Sequence, residues 1–413
     1  MRAIGLVVAV FIAQHSVLGM PRNSIADNVA TSQSPQPFSI TNSMVDFTVD
    51  LSTNHLGRGN VVFSPFSITS VLNLLLLGAS DRTYDQLRAA LRYPAGIEDL
   101  LIHQQSGLQL QSLLFHSNGS TVSIANRLFA AAGLRMVPEF QKAASSFYQA
   151  SVETLDFNHR PVPSQRRINT WVSDNTNGKI KKLLTEPLPT STRLVATNVV
   201  YFNSSWQTPF NASRTAMDSR FHVSVNETVP ANMMTGDLTV PYGVFRDRGF
   251  SVVGLPYSGG RHGMYVFLPN EAGEEALRRL EQHLGSASLT EIVNSLREDT
   301  LLVRLPRFKM SHTLSLAGAL QKMGAADLFD PIHASLKRLS PDGPLFLSEV
   351  VHQAVIDVHE TGTEAAAATV GLVSRGSFGS SFIANRPFLF VIRDTKTGVP
   401  LFWGRLVRPD TVE

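Results

Sequence analysis

The side chains that could do chemistry in this 413-residue chain are 12 histidines, many serines and 33 acidic residues. No local spacing joins them into a Gly-x-Ser-x-Gly elbow, a His-Glu-x-x-His zinc helix, a phosphate-binding Walker loop or a Gly-x-Gly-x-x-Gly turn. His359-Glu360 lacks the second histidine that a zinc site needs, and the absence of cysteine excludes disulfides and a cysteine nucleophile. Local spacing therefore supports no catalytic site and no metal site, although distant histidines and serines could still form a triad.

One stretch has an unusual composition, residues 360–385, which read ETGTEAAAATVGLVSRGSFGSSFIAN. From Thr369 onward it is small, polar and glycine-rich, which is typical of an exposed loop. It lies between two strand-like runs, at 351–358 and 387–392. A loop of this length inside a compact domain is uncommon and usually functional, although a variable surface loop has a similar composition.

The start of this stretch also has the pattern of a strand that could be buried. Alternate residues of a strand face the same side, and here Thr363, Ala365, Ala367, Thr369 and Gly371 share one face. All five are small and uncharged, so this face could enter the middle of a sheet without burying a charge, while Glu364 would face solvent. The pattern predicts a conformational switch between loop and central strand.

The elements that must hold this segment follow an α+β order. Ile40, Met44, Phe47 and Leu51 recur at helical spacing, whereas the second half of the chain contains short apolar runs rich in β-formers. These runs lie at residues 194–202, 252–255, 264–268, 301–308, 387–392 and 401–402. Helices early and strands later favour an α+β class over a βαβ alternation.

Residues 61–80 carry no charge, and their length alone would fit a membrane span. Pro65 and Asn73 argue against that interpretation and favour a buried strand, a turn and a buried helix that begins near Ser67. We therefore predict a soluble protein that does not enter a membrane.

The N-terminus has the pattern of a secretory signal. A basic start is followed by ten apolar residues, 4–13, and small residues precede a predicted cleavage after Gly19. We predict a signal peptide at 1–19, a flexible tail at 20–37 and a secreted, extracellular protein. Four glycosylation sequons agree with export, at Asn118, Asn203, Asn211 and Asn226.

Several motifs along the chain resemble those of the serpins, a family of serine protease inhibitors. The resemblance covers roughly residues 38–409 and is carried by the segments NVVFSPFSI at 60–68, TNVVYF at 197–202 with Trp206, LPY at 255–257, VRLPRF at 303–308, HQA at 352–354, FIANRPF at 382–388 and LFWGR at 401–405. It implies the serpin fold over a single domain at 38–413, with a large central β-sheet, further sheets, surrounding helices and an exposed reactive-centre loop at about 360–384.

The resemblance also implies a mechanism, suicide inhibition of a serine protease. The loop is cut, the protease is trapped as an acyl-enzyme in a covalent complex, and the loop inserts into the central sheet of a metastable fold. The resemblance implies that such an inhibitor is not itself an enzyme and needs no metal and no other cofactor. Some serpins are instead carriers or binding proteins that do not inhibit. Their hinges often bear bulky, charged or proline residues, which this chain lacks on the predicted buried face.

Two groups of residues are marked by the resemblance. The hinge comprises Glu360, Gly362, Thr363, Glu364, Ala365, Ala366, Ala367, Ala368 and Thr369. The shutter and breach comprise Ser64, Ser67, Asn198, Trp206 and His352.

The reactive bond has two candidates. The usual family spacing from Gly362 gives Gly376–Ser377, but glycine offers a protease pocket no side chain. Arg375 lies one residue earlier, and its guanidinium would fit the acidic specificity pocket of a trypsin-like enzyme. We predict cleavage at Arg375–Gly376, with Gly376–Ser377 as the alternative.

Charge limits the other partners. The net charge is +3 with no long run of like charge, so we predict no nucleic-acid partner. Residues 97–117, which correspond best to the heparin-binding helix of some serpins, contain neither lysine nor arginine, so we predict no strong heparin site. We expect a monomer.

Overall fold

The computed structural model describes residues 38–115, 120–342, 345–363 and 380–409, with the backbone alone for Phe115. The helices are α1 (Ile40–Asp50), α2 (Pro65–Gly78), α3 (Asp81–Ala90), α4 (Asp99–Phe115), α5 (Pro138–Tyr148), α6 (Pro161–Asn175), α7 (Glu274–Gln282), α8 (Ser286–Ser295) and α9 (Ala317–Lys322). One π-helical turn, Leu51–His55, continues α1.

Most helices lie in the first half of the described chain and most strands in the second half. The strands are β1 (Val61–Phe63), β2 (Ser120–Ala131), β3 (Ser151–Leu155), β4 (Leu194–Ser205), β5 (Ala216–His222), β6 (Thr228–Phe245), β7 (Phe250–Pro256), β8 (His262–Pro269), β9 (Arg297–Pro306), β10 (Phe308–Ser315), β11 (Glu349–His359), β12 (Gly362–Thr363), β13 (Ser381–Ile383), β14 (Phe388–Asp394) and β15 (Pro400–Leu406). The predicted α+β class is confirmed.

Two sheets organise the described residues. A six-stranded sheet has the order β10-β11-β12-β4-β2-β3. A nine-stranded sheet has the order β1-β15-β14-β8-β7-β6-β9-β13, with β5 paired to β6. A large apolar core joins the two sheets, and a second cluster packs α6 against the outer face of the six-stranded sheet.

Helix α2 shows how local sequence sets an element. The Ser64 hydroxyl accepts from the backbone N–H of Ser67 at 3.2 Å, and Pro65 occupies the first turn, where its missing N–H costs nothing. The helix therefore begins two residues before the predicted Ser67. All of its residues except Leu77 are buried, which explains the uncharged run. In the described part of the chain no helix is long and apolar enough to cross a membrane.

Candidate functional site

The site is a seam between β4 and β11 in the six-stranded sheet. These strands pair in parallel, from Glu349 opposite Val195 to Ala354 opposite Val200, and their ladder then stops. Beyond it, β12 lies between them and runs antiparallel to both. The first residues of the predicted hinge therefore already occupy the position of an additional strand.

Gly362 fits this position because it has no side chain. It pairs with His359 on β11 and with Ser205 on β4. A Cβ atom here would collide with the carbonyl oxygen of Ser204 and lie 2.6 Å from Cα of Ser205. The close approach of two backbones accounts for glycine at this point.

Thr363 is fully buried and joins the hinge to an aromatic pair. Its hydroxyl lies 2.7 Å from the hydroxyl of Tyr257. Burial raises the pKa of Tyr257 well above its ordinary value, so the phenol keeps its proton. The Tyr257 ring stacks on Trp206, with 4.5 Å between ring centroids. The small inward side chain of Thr363 is thus hydrogen-bonded within the core.

Trp206, the predicted breach residue, contacts the hinge through two donors. Its indole N–H donates to the carbonyl of His359, and its backbone N–H donates to the carbonyl of Thr361, both at 2.9 Å. The residue that directly follows β4 therefore holds the chain on either side of the turn that leads from β11 into β12.

Glu360 anchors the same turn from the other side. Its carboxylate accepts from the hydroxyl of Thr215 at 2.6 Å and lies 3.5 Å from the guanidinium of Arg307. Its carbonyl accepts from the backbone N–H of Phe210 at 2.8 Å. Removal of this largely buried carboxylate would leave the guanidinium of Arg307 without its ion-pair partner.

The predicted shutter residues meet lower in the seam. Nε2 of His352 accepts from the backbone N–H of Ser64 at 3.0 Å, so Nδ1 carries the proton and donates to Asn198 at 2.7 Å. Asn198 in turn donates to the side chain of Asn126. Burial lowers the pKa of His352 to about 3, and the ring is therefore neutral. Ser67 takes part only through its backbone N–H, which donates to Ser64.

Three contributors to this arrangement were missed from sequence, namely Asn126, Thr215 and Tyr257. Asn126 is the end of the shutter network and lies on β2, a strand that sequence patterning did not predict. Tyr257 belongs to a segment that resembles the family, and this was the one signal that could have identified it.

Other predicted residues lie outside the described ranges. These are the hinge residues Glu364, Ala365, Ala366, Ala367, Ala368 and Thr369, the candidate bonds at Arg375, Gly376 and Ser377, and the sequon at Asn118. Of the remaining sequons, Asn211 and Asn226 are exposed. Asn203 is half-buried in β4 and donates to the hydroxyl of Tyr201 at 3.1 Å.

Within the residues that the structure describes, no group of three or more histidine or acidic side chains could hold a metal ion. The site consists of backbone ladders, aromatic packing and neutral hydrogen bonds, with one ion pair at its edge. Such an arrangement can bind and align an extended polypeptide.

Comparison with known proteins gives consistent matches. A family profile described as "Serpin (serine protease inhibitor)" matches residues 41–409. Leukocyte elastase inhibitor of Bos taurus is 37% identical over 375 residues, covering 88% of this chain and 97% of the relative. Serpin B3 of Homo sapiens is 36% identical over 372 residues, covering 85% and 94%. The structure of a thyroxine-binding globulin complex with thyroxine superposes with a TM-score of 0.82 at 27% identity, over 90% of this chain and 100% of the other.

These relatives correct one prediction. The expectation of a secreted, extracellular protein is wrong, because leukocyte elastase inhibitor and serpin B3 are intracellular proteins. The expectation depended on residues 1–19, which lie outside the described ranges, and on four triplets. A short apolar run and a three-residue motif are weak patterns that chains from any compartment can contain.

Proposed function

Because the chain belongs to the serpin family, we propose that it is a suicide-substrate inhibitor of serine proteases. The catalytic serine of the protease attacks a carbonyl in the segment 364–379, which joins Thr363 to Ser380. The peptide bond breaks, the new amino group keeps the proton that the protease histidine delivers, and an ester links protease and inhibitor. The freed segment then enters the seam between β4 and β11 before water reaches the ester.

One observation carries this proposal, the position of β12 between β11 and β4. Gly362 and Thr363 already form ladders with both strands, and both ladders are antiparallel. If β12 continued, it would separate β4 and β11, which now pair in parallel, and would pair antiparallel with each of them. Every backbone N–H and C=O group of the new strand could then find a partner.

The register of these ladders sharpens the proposal. Thr363 pairs with Val358 on β11 and with Ser204 on β4. Because both ladders are antiparallel, each residue further along the hinge would pair with a residue one position further back on each of these two strands. Six residues on, Thr369 would lie opposite both His352 and Asn198, which are themselves partners in the parallel ladder. A strand at this level would separate the two side chains, and the hydroxyl of Thr369 could donate to one and accept from the other.

The composition of the hinge also supports insertion. Thr363 points towards Tyr257 and the core, so residues at even steps from it would share that buried face. These are Ala365, Ala367, Thr369 and Gly371, which add no charge and little volume. Glu364 would lie on the opposite face. We further assign residues 38–413 to one serpin domain, which the family match supports.

The target class follows from the candidate bond. Arginine at 375 favours a trypsin-like protease, whose acidic pocket accepts a guanidinium in a charge-assisted contact. Cleavage one residue later, at Gly376–Ser377, is the alternative. The relative named leukocyte elastase inhibitor makes elastase a necessary second enzyme in any test.

The test is a panel of trypsin, chymotrypsin and neutrophil elastase, each incubated with the full chain. We expect a covalent complex with trypsin that survives boiling in SDS, and mass spectrometry should find a released C-terminal peptide that begins at Gly376. A peptide that begins at Ser377 would move the bond by one residue. Cleavage by all three enzymes without any stable complex would overturn the inhibitory function.

A carrier function is the second candidate, and a cavity favours it. A cleft of about 570 Å³ lies beside α7, and its lining residues include Phe250, Leu280, Arg248 and Arg279. Its volume is in the range of small-molecule sites. A thermal scan after loop cleavage separates the two functions, because insertion of a strand raises the melting temperature and a carrier need not show this gain.

A further inference from the structure

Strand β5 runs from one end of the candidate loop to the other. Just before it, the hydroxyl of Thr215 donates to Glu360, which lies three residues ahead of the point where the loop leaves at Thr363. At its far end, the backbone N–H of His222 donates to the carbonyl of Asn385 at 2.7 Å, shortly after the loop returns at Ser380. A protein that binds residues of the loop is thereby brought to β5.

This strand contains an irregularity. Its ladder with β6 is regular from Ser219 to His222 but shifts between Ala216 and Ser219, which leaves Met217 and Asp218 in a bulge. Asp218 has φ of +53°, in the left-handed region that side chains other than glycine rarely adopt. Bulges redirect side chains and are frequent at functional edges of sheets, so the backbone cost at this point needs an explanation.

The bulge presents an apolar side chain beside a charge. Met217 is 63% exposed. The neighbouring carboxylate of Asp218 is also exposed and forms no ion pair with any residue in the described part of the chain. Methionine is flexible and polarisable and adapts to varied partner surfaces.

We propose that Met217 and Asp218 form a second contact surface for the protease that engages the loop. The matching patch on the protease would combine an apolar depression for the thioether with a basic side chain for the carboxylate. The inference rests on the proposed function, since a protease must engage the loop first. A specific complex buries about 800 Å² on each partner, and a surface of that size extends beyond one loop to the strand that joins its two ends.

The test compares the wild-type chain with the double variant Met217→Ala/Asp218→Gly, because these changes remove the thioether and the carboxylate, and glycine tolerates the positive φ. Val244→Ala is the matched control. Val244 is 49% exposed and lies on the part of β6 that pairs with β7 instead of β5. The probes are trypsin, chymotrypsin and neutrophil elastase with the catalytic serine changed to alanine, so binding is measured without cleavage or insertion.

For the probe that binds the wild-type chain most tightly, we expect the double variant to raise Kd about tenfold and the control to change it less than twofold. The Asp218 part of the effect should shrink as salt is added. A change below twofold in the double variant, an equal loss in the control, or no measurable binding of any probe would overturn this surface. An effect on Kd without any covalent complex from the active enzymes would refute the inhibitory function and leave the surface standing.

Discussion

His352 accepts a hydrogen bond from the backbone N–H of Ser64, and 3.0 Å separates the two nitrogens. A protonated ring could not accept this bond. The contact therefore ties the protonation state of one fully buried imidazole to the junction between β1 and α2, which lies directly beneath the seam.

The first prediction concerns acid stability. Burial holds the pKa of His352 at about 3, whereas its ordinary value is 6.5. As the pH falls below 6.5, this histidine becomes protonated in the unfolded chain but stays neutral in the folded chain. The free energy of unfolding therefore decreases until about pH 3. The contribution of this residue is at most about 1.4 kcal/mol for each pH unit. Urea unfolding between pH 7 and pH 5 measures it.

The variant His352→Gln should show a shallower pH dependence than the wild-type chain, because its side chain does not titrate. His333→Gln is the control, since that histidine is 61% exposed on the surface. Equal pH slopes for His352→Gln and the wild-type chain would contradict the assignment.

The second prediction concerns the hinge. Thr369→Arg should turn the inhibitor into a substrate, because insertion would bury a guanidinium between His352 and Asn198. We expect the number of inhibitor molecules consumed per trapped protease to rise about tenfold or more, read from complex and cleaved bands on SDS gels. Ala367→Arg should act in the same way.

Glu364→Arg provides the matched control for the hinge. It introduces the same charge at an odd step from Thr363, on the face that we expect to stay outside the core. Unchanged complex formation with Thr369→Arg, or an equal loss with Glu364→Arg, would refute the proposed register.

The third prediction concerns Gly362. Gly362→Ala should destabilise the chain by about 1–3 kcal/mol, because the new Cβ would collide with the carbonyl of Ser204. Gly57→Ala is the control, since a Cβ there meets nothing within 4 Å. Thermal unfolding compares the two variants, and equal melting temperatures would show that β12 does not need this close approach.

The fourth prediction concerns Arg375. Arg375→Gln should slow complex formation with trypsin by about a hundredfold, because the acidic pocket of the enzyme loses its charged partner. Association rates under pseudo-first-order conditions measure this. Ser377→Ala should leave the rate unchanged, and the opposite ranking of the two variants would place the reactive bond after Gly376.

Local sequence patterns predicted those elements that bury only one face or that consist almost entirely of apolar residues. The apolar run at 194–202 falls within β4, and Thr363, the first residue of the predicted buried face, is buried. Strand β2 was not predicted, since its buried positions include the polar residues Ser120 and Asn126 and its last four residues are all buried, so its sequence lacks a clear alternation.

The network around the hinge could not be read from local sequence. Glu360 meets Thr215 from 145 positions away, and Asn198 meets Asn126 from 72 positions away. Such pairings depend on the sheet order, which places β2 beside β4 and β4 beside β11. The family resemblance supplied His352 and Trp206, but their partners required the assembled sheet.

The two residues of β12 have a kinetic consequence. Starting a new strand is the slow part of sheet growth, because the first contacts fix backbone dihedrals before many hydrogen bonds repay that entropy. Gly362 and Thr363 have completed this nucleation on both flanks. Further insertion would only extend this existing strand. Its rate would depend on how quickly β4 and β11 separate and hardly at all on the time that the loop needs to find the sheet.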